Sequence, residues 1–292
     1  MIWIVRTMMT LALLGAVIWL VAPHELAGAL RAIDLHWLAV AVLLLALQIA
    51  LSALRWHVTA HAFGFALPRY RALQEYGLSV AVNTFLPGGV LGDLARIARS
   101  RSFGWRGAAA SVLIERLAGQ VALALVALGA GVAVLGVLRG GALVIAAIGA
   151  GGFLLWLWPR GRRLLMQAWL APGVWPAQAG LTCAIVALNL GGFWAAARAV
   201  DVVLSPGVAI VLISLTLLSM LIPLTINGWG LREGVAAALW PLWGIGAAQA
   251  VAASVAFGLA CMGAALLGLV PWLLRSRQTG QDPVVAPKLP RQ

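Results

Sequence analysis

Acidic residues are scarce: 8 Asp and Glu stand against 20 Lys and Arg in 292 residues, and charged residues of both signs make up only 10% of the chain. Cysteine is rarer still. Cys183 and Cys261 both lie in apolar runs, where neither a disulfide framework nor a four-ligand metal site has a basis, so both read as small packing residues. Missing too are HExxH, a Ser/His/Asp order, a P-loop and a dinucleotide glycine pattern, and the segment PGGVLGD at 87–93 lacks the Lys-Ser/Thr of a nucleotide phosphate cradle. His57 and His61 have metal-compatible spacing but no third ligand nearby, and read as an interfacial pair. No metal and no cofactor is expected.

What fills the chain is apolar. At 63% hydrophobic residues and a mean hydropathy of +1.01, the composition exceeds what a soluble domain can bury, and several runs pass the roughly 18 residues that a bilayer span needs. The formal net charge of +12 comes from arginines in short clusters between those runs, with no basic stripe and no interleaved aromatics. Nucleic acid is therefore not an expected partner, and the charge reports topology and contact with anionic lipid. Arg6 and the apolar run after it resemble a signal peptide, but Pro23 directly after Val21 and Ala22 is a poor cleavage context, so this reads as an uncleaved first helix.

Taken in order, the chain predicts spans at Met8–Ala22 and His36–Leu54 with a short polar link, Pro23–Leu35, between them. The second span is expected to stop at Arg55 and Trp56, at the head of a cytoplasmic loop running to Arg71. Further spans are predicted at Ala109–Val137, Gly141–Trp158, Ala177–Ala197 and Gln249–Leu274, the last with small residues Ala260, Ala264 and Gly268 at helical repeat. Asn189, in the middle of one of these, reads as an interhelical hydrogen-bonding residue. The fourteen Trp mostly mark span ends, Trp229 excepted.

Two stretches break this pattern. Tyr76–Leu91 is interrupted by Pro87, Gly88 and Gly89 and followed by Arg96, Arg99, Arg101 and Arg106; a segment that dips in and returns keeps these arginines inside. Pro206–Ile222 breaks at Pro223, and Gly234–Trp243 is too short to span alone. Pro87 and Pro223 are each followed by Gly at the fifth position (Gly92, Gly228) and Arg at the ninth (Arg96, Arg232). The expectation is an all-α polytopic membrane helical bundle of about six full spans, with two broken re-entrant segments (76–96 and 207–246) forming an inverted repeat within residues 1–275, and a disordered cytoplasmic tail at 276–292. Both termini are placed on the cytoplasmic side of a bacterial inner membrane; oligomeric state is left open.

The broken segments hold the candidate site. Charges in or beside apolar runs need a partner or an aqueous cavity, and five qualify: Asp93, Glu115, Arg116, Arg232 and Glu233. Asp93 and Arg96 stand three apart and share a face if Gly92 starts a helix, which permits a structural ion pair as well as a ligand site. Arg232 and Glu233 are adjacent and are expected to find separate partners, Arg232 crossing to Asp93 and Glu233 to Arg96 or Arg116. Planar guanidinium suits phosphate, which makes Arg96 and Arg232 the headgroup contacts. Asn83, Asn227 and Trp229 complete the expected substrate-binding set.

Leu54-Arg55-Trp56, Asn83-x-x-x-Pro87-Gly88 with Gly92-Asp93-x-x-Arg96, Glu115-Arg116, and Gly228-Trp229-Gly230-x-Arg232-Glu233 together resemble the lysylphosphatidylglycerol synthase transmembrane region family, also described as flippase-like integral membrane proteins. The resemblance runs from Arg55 to Leu274. It implies a lipid-handling protein; larger relatives make an aminoacylated phosphatidylglycerol and move it between leaflets. Their transferase is a separate C-terminal domain, so the short tail here does not support aminoacyl transfer, and other short relatives are linked to hopanoid or polyprenyl-lipid export. The leading expectation is a non-enzymatic lipid transporter or flippase for an anionic phospholipid, polyprenyl-phosphate or hopanoid lipid. A channel or small-solute carrier and a membrane-embedded lipid-modifying enzyme are the alternatives.

Overall fold

The computed structural model describes residues 2–21, 23–86, 91–100, 104–135, 159–169, 173–221, 225 and 227–275. The expected proline breaks at 87 and 223, the span at 141–158 and the tail at 276–292 lie outside the described residues. Every regular element among those described is helical: α1 Ile2–Leu20, α2 Pro23–Arg31, α3 Leu35–Ala62, α4 Arg69–Phe85, α5 Leu91–Arg99, α6 Trp105–Leu135, α7 Pro159–Trp169, α8 Trp175–Ala199, α9 Pro206–Leu218, α10 Leu231–Leu239 and α11 Ala247–Arg275, with 3₁₀ turns at Ser219–Leu221 and Trp240–Trp243. Helices α3, α6, α8 and α11 are long and apolar enough to cross a membrane, and α1 with α2, bent by 98°, makes a fifth candidate.

Two expected boundaries move. The supposed link at Pro23–Leu35 contains the helix α2, with Glu25 in its first turn and Arg31 in its last, the polarity that suits a helix dipole. The second span does not stop at Arg55. It runs on to Ala62, because Arg55 turns into the protein and finds a carboxylate there rather than water.

Side-chain contacts fix the helix directions. Asp34 N–H donates to the Ala199 carbonyl and Gln178 to Thr59 Oγ1, so α3 and α8 are antiparallel. Phe65 lies on Gly107, Trp56 Nε1 donates to Ser111 and Arg55 to Glu115, which sets α6 antiparallel to α3. In α4 and α11, Gln74 Nε2 donates to the Pro271 carbonyl while Gly77 meets Gly268; these two are antiparallel as well. Arg69, Arg71, Arg99, Arg106 and Arg275 therefore collect at one end of the bundle, and Arg31, Asp34, Arg198 and Asp201 at the other.

The core is built from small side chains. Ala195, Ala196, Ala250, Ala252, Ala253, Ala256, Ala260 and Ala264 are buried, with Trp240 and Phe193, which stacks on Phe257 at 4.6 Å, among the bulky fillers. Alanine and glycine let backbones approach where lipid supplies no hydrophobic drive for helix association. The expected face Ala260, Ala264, Gly268 does this: a Cβ on Gly77 would sit 1.9 Å from the Gly268 carbonyl oxygen.

Each broken segment folds back on itself. Glu75, Ser79 and Asn83, four residues apart on α4, form a polar stripe that meets α5 in antiparallel register: Arg99 pairs with Glu75, Ser79 and Asn83 donate to Asp93, and Gly92 N–H donates to Asn83 Oδ1 at 2.8 Å. Gly92 lies against the Ser79 backbone, with room for no side chain. The second segment reverses similarly. Gly228 packs on Met220, and Trp240 Nε1 donates to Thr216 Oγ1 at 3.1 Å.

Gly77→Ala and Gly92→Ala should each destabilise the protein by about 1–3 kcal/mol, the usual cost of overpacking, because the added methyl meets backbone that cannot rotate away. Gly129→Ala, where a Cβ meets nothing within 4 Å, should be neutral or slightly stabilising. Thermal unfolding in detergent micelles distinguishes them.

Candidate functional site

Helix α3 presents Arg55, α6 presents Glu115 and Arg116, and the α4–α5 hairpin presents Asp93 and Arg96. Glu115 stands at the junction. Its Oε1 lies 2.7 Å from Arg55 Nη2 and its Oε2 lies 3.5 Å from Arg96 Nη2. Arg96 also reaches Asp93 Oδ1 at 3.1 Å, and Asp93 Oδ2 lies 2.6 Å from Arg116 Nη2. The result is an alternating chain, Arg55–Glu115–Arg96–Asp93–Arg116. It begins in the core, where the Arg55 side chain is 4% exposed, and ends near the surface, where Arg116 is 44% exposed.

Neutral groups hold this chain in place. Arg55 also donates to Thr182 Oγ1 and to the Glu115 carbonyl, and Asn83 donates to Asp93 Oδ2 at 3.0 Å while receiving the Gly92 N–H. The Arg96 guanidinium carbon is 4.6 Å from both the Trp56 and the Tyr76 ring centroids, the arrangement in which ring quadrupoles stabilise a desolvated cation. Tyr76 OH in turn donates to Glu115 Oε1 at 3.3 Å.

The second motif forms a separate cluster. Arg232 pairs with its own neighbour, Nη2 to Glu233 Oε1 at 2.6 Å and Nε to the same oxygen at 3.0 Å. The expected crossings of Arg232 to Asp93 and of Glu233 to Arg96 or Arg116 are overturned. Among the described residues, no ion pair or hydrogen bond joins the two clusters. The reason is that these residues occupy the first turn of α10 and not a helix interior. Gly230 is the N-cap, at φ 86°, and Glu233 curls back to accept its N–H at 2.6 Å, as the third residue of a capping box does. That brings the carboxylate within reach of the long Arg232 side chain. Ser254 of α11 accepts from Arg232 Nε and donates to Glu233, while Trp229 and Phe257 flank the guanidinium at 5.1 and 5.2 Å. Helix α1 closes this side, with Leu13 against Gly230 and Val17 against Gly234.

Between the clusters lies a cavity of about 140 Å³. Gln48 of α3, Tyr76 and Thr84 of α4, Asn189 of α8, Asn227 of the second motif and Cys261 of α11 line it together with aliphatic residues. Tyr76 connects it to the first cluster. Cys261 is one helical turn from Phe257, which packs on Arg232. Asn227 is held at φ 49°, a left-handed conformation that asparagine tolerates better than most residues.

All nine expected residues are thus placed: Asp93, Arg96, Glu115, Arg116 and Asn83 in the first cluster, Arg232, Glu233 and Trp229 in the second, Asn227 on the cavity wall. The sequence reading missed Arg55, taken as a helix end, and Tyr76, Trp56 and Ser254. Trp56 and Trp240 are buried rather than belted at an interface. His57 Nδ1 and His61 Nε2 converge on the Leu67 carbonyl oxygen at 2.6 and 3.2 Å, tying the loop after α3 to its helix.

Replacing Glu115 by Ala strips two buried arginines of their shared counter-ion, and should cost about 3–5 kcal/mol. The pair Arg55→Met with Glu115→Ala should cost less than the two single changes summed, since the residues couple directly. In the second cluster, Arg232→Met with Glu233→Leu should unfold later on heating than Glu233→Leu alone. A double variant no more stable than the worse single one contradicts the pairing.

No curated protein and no solved structure matches the chain. The family model described as "Lysylphosphatidylglycerol synthase TM region" matches residues 4–268. That span takes in both ion-paired clusters and the cavity between them, and the chain belongs to the lysylphosphatidylglycerol synthase transmembrane region family.

Proposed function

We propose that the protein moves a lipid with an anionic headgroup between the leaflets of a bacterial inner membrane, without chemically altering it. Family membership supports a lipid-related role in a membrane; the transport step and the headgroup charge are our reading. One observation carries it. Among the described residues, Nε and Nη1 of Arg96 and Nη1 of Arg232 are buried with no hydrogen-bond acceptor, on either side of a polar cavity. Buried guanidinium N–H groups left unpaired are costly, and a phosphate passing between the hairpins supplies the missing acceptors in planar, charge-assisted geometry.

The hairpins give this site its access. The first follows the Arg69 end of the bundle and returns there with Arg99, and the second lies between α8 and α11 and begins and ends at the Asp34 end. We read them as the two halves of an inverted repeat, one reaching in from each face, as in carriers that bind near the midplane where interrupted helices meet. The Arg-rich end is assigned to the cytoplasm by the positive-inside rule, which also places the N-terminus of α1 and the C-terminus of α11 there. The carboxylates Asp93, Glu115 and Glu233 act as counter-ions that release Arg96 and Arg232 to the headgroup and take them back. The lipid is an anionic phospholipid or a polyprenyl phosphate.

The test is reconstitution into liposomes carrying headgroup-labelled phospholipid or polyprenyl phosphate, with a membrane-impermeant reductant outside. The protein should accelerate loss of the protected inner-leaflet signal, and the folded Arg232→Met/Glu233→Leu variant should lose at least about tenfold of that rate, equivalent to about 1.4 kcal/mol. Rates equal to those of empty liposomes for every anionic lipid overturn the proposal. A change in lipid mass after incubation would show an enzyme instead.

A further inference from the structure

Arg116 ends the ion chain at the protein surface, but its surroundings are those of a lipid-facing helix. On α6, Leu113, Leu117, Val121 and Leu125 are all exposed; at four-residue spacing they form one row along a helix long and apolar enough to cross a membrane. Arg116 stands three residues from Leu113 and beside Leu117, at the edge of that row. On α5, Leu94 is exposed next to Asp93, the carboxylate that Arg116 reaches. The guanidinium therefore closes a seam between α5 and α6 whose rims are leucine.

Depth makes this position costly. Arg116 follows Arg106, at the Arg-rich end of the bundle, by ten residues, about 15 Å of helical rise. Arg55, which pairs with the neighbouring Glu115, lies seven residues, about 10 Å, from the same end of α3. Helix α3 has 28 residues and a length of about 42 Å, close to a bilayer with its headgroups, so this level falls beneath the headgroup layer. A guanidinium 44% exposed there needs a polar group to descend to it. It does not rise past the leucines to water, because its Nη2 is held 2.6 Å from Asp93 Oδ2.

Asp93 can release it without being stranded. Without Arg116, the carboxylate still holds Arg96 at 3.1 Å, Ser79 at 3.3 Å and Asn83 at 3.0 Å. Arg55 and Arg96, by contrast, are closed to the bilayer. We infer that the seam between α5 and α6 is a lateral docking site for a single phosphate-bearing lipid of the bilayer, with its phosphate on Arg116 and its acyl chains along Leu94, Leu113 and Leu117. The site draws the phosphate below the plane of its own leaflet, to within one residue pair of Arg96. A free phosphate ion has the charge but nothing to set against the leucines, so the acyl chains are part of what is recognised. The inference rests on the transport reading in making this seam the point of entry; as a binding site it is tested separately.

The experiment uses the full chain in mild detergent with dioleoyl phosphatidic acid and dioleoylglycerol, which share their acyl chains and differ by the phosphate. Native mass spectrometry reads the apparent affinity for the first bound copy of each. Arg116→Gln should weaken phosphatidic acid binding about tenfold, the effect of a lost charge-assisted hydrogen bond, and leave dioleoylglycerol binding unchanged. Leu113→Glu, at an exposed position, offers Arg116 a carboxylate one helical turn away and removes no native ionic group. It should produce the same loss, and Leu113→Gln should not. Glycerol 3-phosphate at millimolar concentration, a phosphate without acyl chains, should not compete. Wild-type affinity in Arg116→Gln or in Leu113→Glu, an equal loss of dioleoylglycerol, or displacement by glycerol 3-phosphate overturns the inference. Wild-type lipid movement in the liposome assay, together with unchanged phosphatidic acid affinity in both variants, would sink the seam and leave the transport reading intact. Selective loss of phosphatidic acid in both variants, with no lipid movement by the wild-type protein, would do the reverse.

Discussion

Glu115 carries two arginines, and the first half of the molecule is arranged around that load. A carboxylate buried in an apolar bundle must be paired, and one carboxylate between two guanidiniums draws three separate elements to a point: α3 through Arg55, α5 through Arg96 and α6 through its own backbone. Around this junction, neighbouring polar groups are tied in as well. Asn83 fixes Asp93, Asp93 splits its oxygens between Arg96 and Arg116, and Thr182 reaches across from α8. Buried ion pairs contribute little net stability compared with apolar packing. What this network does supply is register, because a shift of one residue in α5 would turn Asp93 and Arg96 away from their partners together.

The two clusters solve the same problem in different ways. The first distributes its charges over three helices and holds a cation between Trp56 and Tyr76. The second is local: Arg232 and Glu233 satisfy each other at one helix start, and α11 contributes only the hydroxyl of Ser254. Movement of the first hairpin therefore requires several ion pairs to exchange. The second can move as a unit with its charge pair intact, limited by the α1 contacts at Gly230 and Gly234.

Much of this was legible in the sequence, and the parts that were not have physical causes. Hydropathy located the long helices, and the shared spacing of Pro, Gly and Arg located both broken segments, because backbone breakers and charge are conspicuous in an apolar chain. The Asp93–Arg96 pair followed from spacing alone. Arg55 did not, since an arginine after an apolar run looks the same whether it meets headgroups or a buried carboxylate. Treating Arg232 and Glu233 as helix-interior neighbours gave the wrong partners, because the decisive fact was the left-handed Gly230 that starts the helix beneath them. The stripe Glu75, Ser79, Asn83 was present at helical spacing and would have indicated that α4 packs against something polar. The cavity could not be read at all, since its wall is gathered from five segments and each contributes only one to three ordinary residues.

The two clusters also differ in electrical sum. Counting ionised side chains, the first holds three arginines, Arg55, Arg96 and Arg116, to two carboxylates, Asp93 and Glu115, whereas the second holds one of each, Arg232 and Glu233. The space between the clusters thus has more arginine than carboxylate on its α5 side and equal numbers on its α10 side. On the proposed transport reading, a headgroup that enters this space from either leaflet meets the same asymmetry, and its anionic end is drawn toward α5.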